Sequence, residues 1–125
     1  MAEMSKEELK KRTKQFALRV IRCAEALPRT TTGRVIGAQF IRCGTSVGAN
    51  CRAALRARST PDFINKLGVV LEEADESAFW LELIIDAKLL PEKKVSALLK
   101  EANELTAIFA ASHKTTKAHL RFSKS

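Results

Sequence analysis

The chain has 125 residues, enough for a single domain that buries its own core without disulfides or structural metal. With 46% hydrophobic and 29% charged residues, 5 glycines and 3 prolines, its composition excludes disorder and fibrous repeats. The 22 Lys and Arg against 14 Asp and Glu leave a net charge of +8, which makes nucleic acid or another anionic surface the first partner to consider.

The longest apolar runs, such as Leu83-Ile84-Ile85, fall far short of the roughly 20 residues that cross a bilayer. The start, Met1-Ala2-Glu3-Met4, shows no basic segment followed by an apolar one. A cytoplasmic protein without membrane contact is expected. Cys23, Cys43 and Cys51 form no C-x-x-C pair and sit within apolar helical patterns, so they read as reduced core residues.

Four helices are expected over residues 5–27, 32–58, 61–88 and 92–115, followed by a basic tail at 114–125. Clustered chain breakers fall only at Pro28 to Gly33, Ser59-Thr60-Pro61 and Leu89-Leu90-Pro91. In the first helix, Ser5 and Glu8 have capping-box spacing, Pro28 ends the element, and Leu9, Phe16, Val20, Cys23, Ala24 and Leu27 form one apolar stripe. The second turns Ile36, Phe40, Cys43, Val47, Cys51, Ala54 and Leu55 inward. Gly37, Gly44 and Gly48 border that stripe, and three glycines on one side predict close approach of a neighbouring helix backbone.

The third helix opens with Thr60 as N-cap, Pro61 at its first position and Asp62 in the first turn, with Phe63, Leu67, Val70, Ala74, Ala78, Leu81 and Ile85 as its core stripe. The fourth carries Val95, Leu98, Leu99, Ala102, Leu105, Thr106 and Phe109 inward. Short connections make consecutive helices antiparallel, so the expected fold is all-α, an up-down-up-down four-helix bundle in a single domain over 1–125.

Arg34, Arg42, Arg52 and Arg56 fall within a sector of roughly 80° on the second helix and span about 33 Å, a row able to track phosphates. The competing reading pairs them with Glu72, Glu73, Asp75, Glu76, Glu82 and Asp86 of the third helix, and it is favoured for Arg42 and Arg52. Lys10, Lys11, Lys14, Arg22, Arg58, Lys114, Lys117 and Arg121 have fewer acids near them in sequence. Together with Arg34 and Arg56 they are the expected nucleic-acid contacts. Val69, Phe79, Trp80 and Leu83 lie on or beside a second apolar strip of the third helix, and Leu18 and Ile21 offer a counterpart on the first. These six are the expected interface of a homo-oligomer, with Trp80 as anchor. Absorption of Trp80 and Phe79 into a wide core is the alternative.

Catalytic chemistry finds no foothold. Gly44-Thr45-Ser46-Val47-Gly48 lacks the ending of a phosphate loop and sits in mid-helix. His113 and His119 are off one helical face, and the acids at 72, 73 and 76 have no accompanying Glu-x-x-His motif, so neither metal nor cofactor is expected. A non-enzymatic protein is expected.

The segments Gln39-Phe40-Ile41-Arg42-Cys43-Gly44-Thr45-Ser46-Val47-Gly48-Ala49-Asn50, Asp62-Phe63-Ile64-Asn65-Lys66-Leu67 and Glu72-Glu73-Ala74-Asp75-Glu76-Ser77 resemble the four-helix bundle proteins encoded in intervening sequences of large-subunit ribosomal RNA genes. The 23S rRNA-intervening sequence family implies a cofactor-free homopentamer for which RNA binding has been proposed. The accessory variability protein of diversity-generating retroelements, which works with a reverse transcriptase, shares the fold. The resemblance places Arg42, Asn50, Glu73 and Glu76 at recurring polar positions with structural roles between helices or subunits, and Arg52 is grouped with them. Cys51 departs from the aromatic residue of many relatives. The expected function is a basic oligomer that binds nucleic acid, RNA first. The alternative is a scaffold for a protein partner such as a reverse transcriptase.

Overall fold

Serine and threonine side chains open three helices, each accepting a backbone N–H that the helix itself leaves unpaired. Ser5 Oγ accepts from Glu8 N at 3.1 Å, Thr30 Oγ1 from Gly33 N at 3.1 Å, and Ser59 Oγ from Asp62 N at 3.2 Å. The computed structural model describes residues 4–123, and in it these caps start α1 (Lys6–Glu25), α2 (Thr31–Leu55) and α3 (Thr60–Asp86). Pro91 precedes α4 (Glu92–Ser123). Met1 to Glu3 and the last two residues of the expected basic tail, Lys124 and Ser125, lie outside the described residues. The third cap is Ser59 rather than Thr60, which shifts Pro61 one place into the first turn.

α1 ends before Pro28, because Ala26 N and Leu27 N turn back to Cys23 O and Ala24 O, each at 3.1 Å, and close the last turn. α2 stops at Leu55, three residues short of expectation, where Arg56 N and Ala57 N bond back to Ala53 O and Ala54 O. α3 ends in a Schellman motif: Leu89 N reaches Ile84 O and Lys88 N reaches Ile85 O, both at 3.0 Å, with Lys88 at φ 58° in the left-handed region.

The largest departure is α4. It continues through Ser123, so residues 114–123 are helix and not a tail. No Gly or Pro interrupts Glu92 to Ser123, and its last turns lie beside the start of α3, where Lys117, Leu120 and Arg121 line one depression with Pro61, Ile64 and Asn65. That contact brings Ile64 to 7% exposure, and tertiary packing of this kind is what sustains a helix beyond its own propensity.

Opposed contacts fix the direction of the helices. Along α2, Gly37 faces Leu27 and Ala24, Gly44 faces Val20, and Gly48 faces Thr13, so one index rises as the other falls. Ser77 donates to Cys43 Sγ at 3.3 Å between α3 and α2, and Gly68 of α3 lies against His113 of α4. Consecutive helices are therefore antiparallel, in one all-α domain without strands among the described residues.

Phe16, Val20, Phe40, Val47, Val70, Leu81, Ile84, Leu105 and Phe109 are sealed from solvent in a core shared by the four helices. On α3 the buried stripe runs through Ile64 and Ile84, while Phe63 and Ile85 are only partly covered, because this helix packs against α2 on one flank and α4 on the other. The expected close backbone approach is present between α2 and α1. A Cβ on Gly44 would stand 2.6 Å from Val20 Cγ1, and one on Gly48 would lie 3.4 Å from the Thr13 carbonyl oxygen.

α1 and α4 meet over a far shorter stretch than the other neighbours. Arg12 closes that seam as a fork: its guanidinium donates to Glu101 through Nε at 2.8 Å and Nη2 at 2.6 Å, and Nη2 also reaches Glu104 at 3.0 Å. The hydrogen bond to Glu101 raises the guanidinium pKa and holds that carboxyl below its ordinary range. No helix among the described residues is long and apolar enough to cross a membrane.

Candidate nucleic-acid interface

Antiparallel order brings the start of α1, the end of α2, the start of α3 and the end of α4 to one end of the bundle. Lys6, Leu55, Arg58, Thr60, Phe63 and Thr116 line a single depression there, so all four helices contribute to it. Charge is concentrated at this end. Segments 6–14, 52–66 and 114–121 hold 12 Lys and Arg against three acids, Glu7, Glu8 and Asp62. The remaining segments, 15–51 and 67–113, hold 9 cations against 10 acids. The excess positive charge of the described residues thus sits at one end.

Three of the 12 cations are engaged. Lys10 pairs with Glu7 at 3.2 Å, Arg12 with Glu101 and Glu104, and Lys66 with Asp62 at 3.0 Å. The hydrogen bond from Lys66, reinforced by the Arg58 backbone N–H, holds Asp62 below the ordinary carboxylate range. Lys6, Lys11, Lys14, Arg52, Arg56, Arg58, Lys114, Lys117 and Arg121 are exposed and form no ion pair among the described residues. Unpaired, solvated cations on adjoining helix ends suit phosphate oxygens, since contact releases counterions without breaking an internal pair.

Of the expected nucleic-acid contacts, Lys10, Lys11, Lys14, Arg56, Arg58, Lys114, Lys117 and Arg121 gather at this end. Arg22, in the last turn of α1, and Arg34, in the first turn of α2, lie at the other. The arginine row along α2 is therefore not one continuous surface. Arg42, at its middle, is drawn onto α3: it reaches Glu73 at 3.4 Å, bonds closely to Glu76, and takes Gln39 Oε1 at 3.3 Å. Its hydrogen bond to Glu76 raises its pKa. Arg52, expected to be paired in the same way, has no acid in reach among the described residues.

Sequence reasoning missed Lys6 and Lys66 at the basic end and the seam-closing role of Arg12. Arg12 lies beside the core position Thr13, but the identity of its partner 89 positions away is set by how α1 and α4 face each other.

The remaining polar positions are held within the chain. Asn50 Nδ2 donates to Ser46 O at 2.9 Å in its own helix, and Glu76 also accepts the Trp80 indole N–H at 3.1 Å. Trp80 stands edge-to-face with Phe79, centroids 5.2 Å apart, and is half-buried against the core, while Leu18, Ile21 and Leu83 are of intermediate exposure. Val69 and Phe79 remain 40% and 50% exposed. Burial raises the thiol pKa of Cys23, Cys43 and Cys51, all of them free. No group of three or more His, Cys, Asp or Glu among the described residues could hold a metal ion.

The sequence profile of the 23S rRNA-intervening sequence protein matches residues 5–111. A crystal structure from Bacteroides thetaiotaomicron, of a protein with unknown function from the S23 ribosomal protein family, is 32% identical. The alignment covers 89% of this chain and 99% of that one, with a TM-score of 0.81. No curated protein matches.

Proposed function

Because the chain belongs to the 23S rRNA-intervening sequence protein family, we propose that it is a non-enzymatic, cytoplasmic RNA-binding bundle that holds the phosphate backbone on its basic end. The observation that carries this reading is the placement of charge: 12 cations against three acids at one end, 9 against 10 over the rest. The family's name ties its members to an intervening sequence of 23S rRNA, which makes RNA the first polyanion to test. Affinity arises from phosphate contacts and carries little sequence preference.

The protein works as a homo-oligomer, a pentamer by the family resemblance. Exposed Val69 and Phe79, with half-buried Trp80 and Leu83 on the same helix, support a subunit contact there. Light scattering then gives a mass of five times 13.8 kDa. A monomer at micromolar concentration removes the oligomer from the reading.

The binding test is fluorescence anisotropy with a single-stranded RNA across a salt series. If all nine unpaired cations engage phosphates, the log–log slope reaches about −6, or nearly four orders of magnitude in affinity between 50 and 200 mM salt. No binding at 50 mM salt would exclude the reading. The second reading, a scaffold for a polymerase such as a reverse transcriptase, is favoured by the exposed acids Glu72, Asp75 and Glu82 beside Phe79. It predicts capture of that protein without RNA.

A further inference from the structure

The depression at the basic end is more than a patch of charge. It has a volume of about 420 Å³, within the roughly 300–1,000 Å³ typical of small-molecule pockets, and is lined from all four helices. Its lining divides by chemistry: Leu55 and Phe63 are apolar, Lys6 and Arg58 are cationic, and Thr60 and Thr116 carry hydroxyls. Phe63 is only partly covered by the core, and neither Lys6 nor Arg58 has an ion-pair partner among the described residues. The acid nearest in sequence, Asp62, is engaged by Lys66 Nζ and Arg58 N. The α3 cap is satisfied internally, with Asp62 N on Ser59 Oγ and Phe63 N on Ser59 O, so the anion affinity of the pocket rests on side chains.

We infer that this pocket takes one terminal nucleotide unit, its base against Phe63 and Leu55 and its phosphate at Lys6 and Arg58. The inference rests on the basic end being the nucleic-acid surface and adds a seat for a strand end to it. A terminal phosphomonoester carries close to two negative charges where an internal diester carries one, which suits the two cations, Lys6 and Arg58, that border the depression. The aromatic face supplies stacking that backbone contacts lack. The same chemistry is offered by a free nucleoside monophosphate and by the 5′ end of an RNA.

The test uses the full chain with a ten-nucleotide RNA bearing either a 5′-phosphate or a 5′-hydroxyl, at moderate salt, and adenosine 5′-monophosphate as competitor. The 5′-phosphorylated strand binds about tenfold more tightly, Arg58→Gln abolishes that difference, and Phe63→Leu, which keeps the apolar fill, weakens binding of the phosphorylated strand about tenfold. Displacement by the mononucleotide assigns the pocket to free nucleotides as well, and failure to displace assigns it to strand ends alone. Equal affinity of the two strands for the unmodified protein overturns the pocket, and persistence of the steep salt dependence in that case leaves the basic end standing. Loss of all RNA binding at low salt overturns both. Arg58 is exposed, so its variant keeps the test decisive if Phe63→Leu disturbs folding.

Discussion

Neutralising Lys114, Lys117 and Arg121 to glutamine isolates the position of charge from its amount. All three are exposed, lie on the last turns of α4 and form no ion pair among the described residues, so each is available to a phosphate. A single-strand contact contributes about −0.7 to the slope of log K against log salt. With nine unpaired cations at this end, the limiting slope of about −6 becomes about −4 in the triple variant. The matched control is Arg22, Arg29 and Arg34 to glutamine, which removes the same three charges from +8 at the opposite end, where these residues are also exposed. Anisotropy titrations over a salt series read both slopes. Thermal melts confirm folding, since exposed substitutions of this kind change stability by about 0.5 kcal/mol or less. The reasoning is refuted if the control flattens the slope as much as the α4 set does, because affinity would then follow net charge and not its placement.

Three further perturbations test the frame that holds this end together. Gly44→Ala places a methyl 2.6 Å from the sealed Val20 side chain and lowers stability by about 1–2 kcal/mol net of the helix-propensity gain, whereas Gly48→Ala meets Thr13 at 3.4 Å and is neutral or stabilising by up to about 1 kcal/mol; paired thermal melts separate them. Lys88→Gly relieves a left-handed backbone and raises stability by about 0.5–1 kcal/mol, and an unchanged melting temperature would count against the Schellman geometry. Arg12→Met strands Glu101 in a partly covered seam, at a cost of about 1–3 kcal/mol near neutral pH. Since Arg12 lowers the folded pKa of Glu101 below the ordinary 4.5, the stabilisation is fully present above that value and is lost as pH falls through the folded one. The difference in melting temperature between parent and variant therefore narrows in acid, and a constant difference from pH 7 to pH 3 would show that the ion pair is not its source.

Elements whose cause is local were legible in the sequence. Ser5 at its N-cap, the stop before Pro28 and the glycine side of α2 each follow from a few neighbouring residues, and the structure places them as expected. Boundaries set by tertiary contact were not. Lys88 carries no sign that it takes the left-handed cap position, since glycine is the usual occupant. Nothing within 114–123 announces that Ile64 and its neighbours on α3 will support those turns as helix. The exchange of Phe63 and Ile85 for Ile64 and Ile84 in the core has the same origin, because a helix with neighbours on two flanks buries a wider arc than one face of a periodic pattern shows.

The site was half legible for a related reason. Reading along one helix found the arginine row of α2, yet the useful grouping runs across helices, at the level where four ends meet. Arg42 and Arg56 lie only about 40° apart on a helical projection, but Arg42 sits opposite Glu73 and Glu76 and is consumed, while Arg56 caps the end of α2, exposed and without an ion pair among the described residues. The antiparallel order already implied that early α1, late α2, early α3 and late α4 share an end, so counting charge by end and not by helix would have found Lys6 and Lys66 as well. The family profile stops at residue 111, and Lys114, Lys117 and Arg121 lie beyond it, on turns of α4 supported by the start of α3. Bundle and charge are thus separable in this chain: the core from Phe16 to Phe109 specifies the four helices, and the turns past residue 111 extend the cationic surface without drawing on that core.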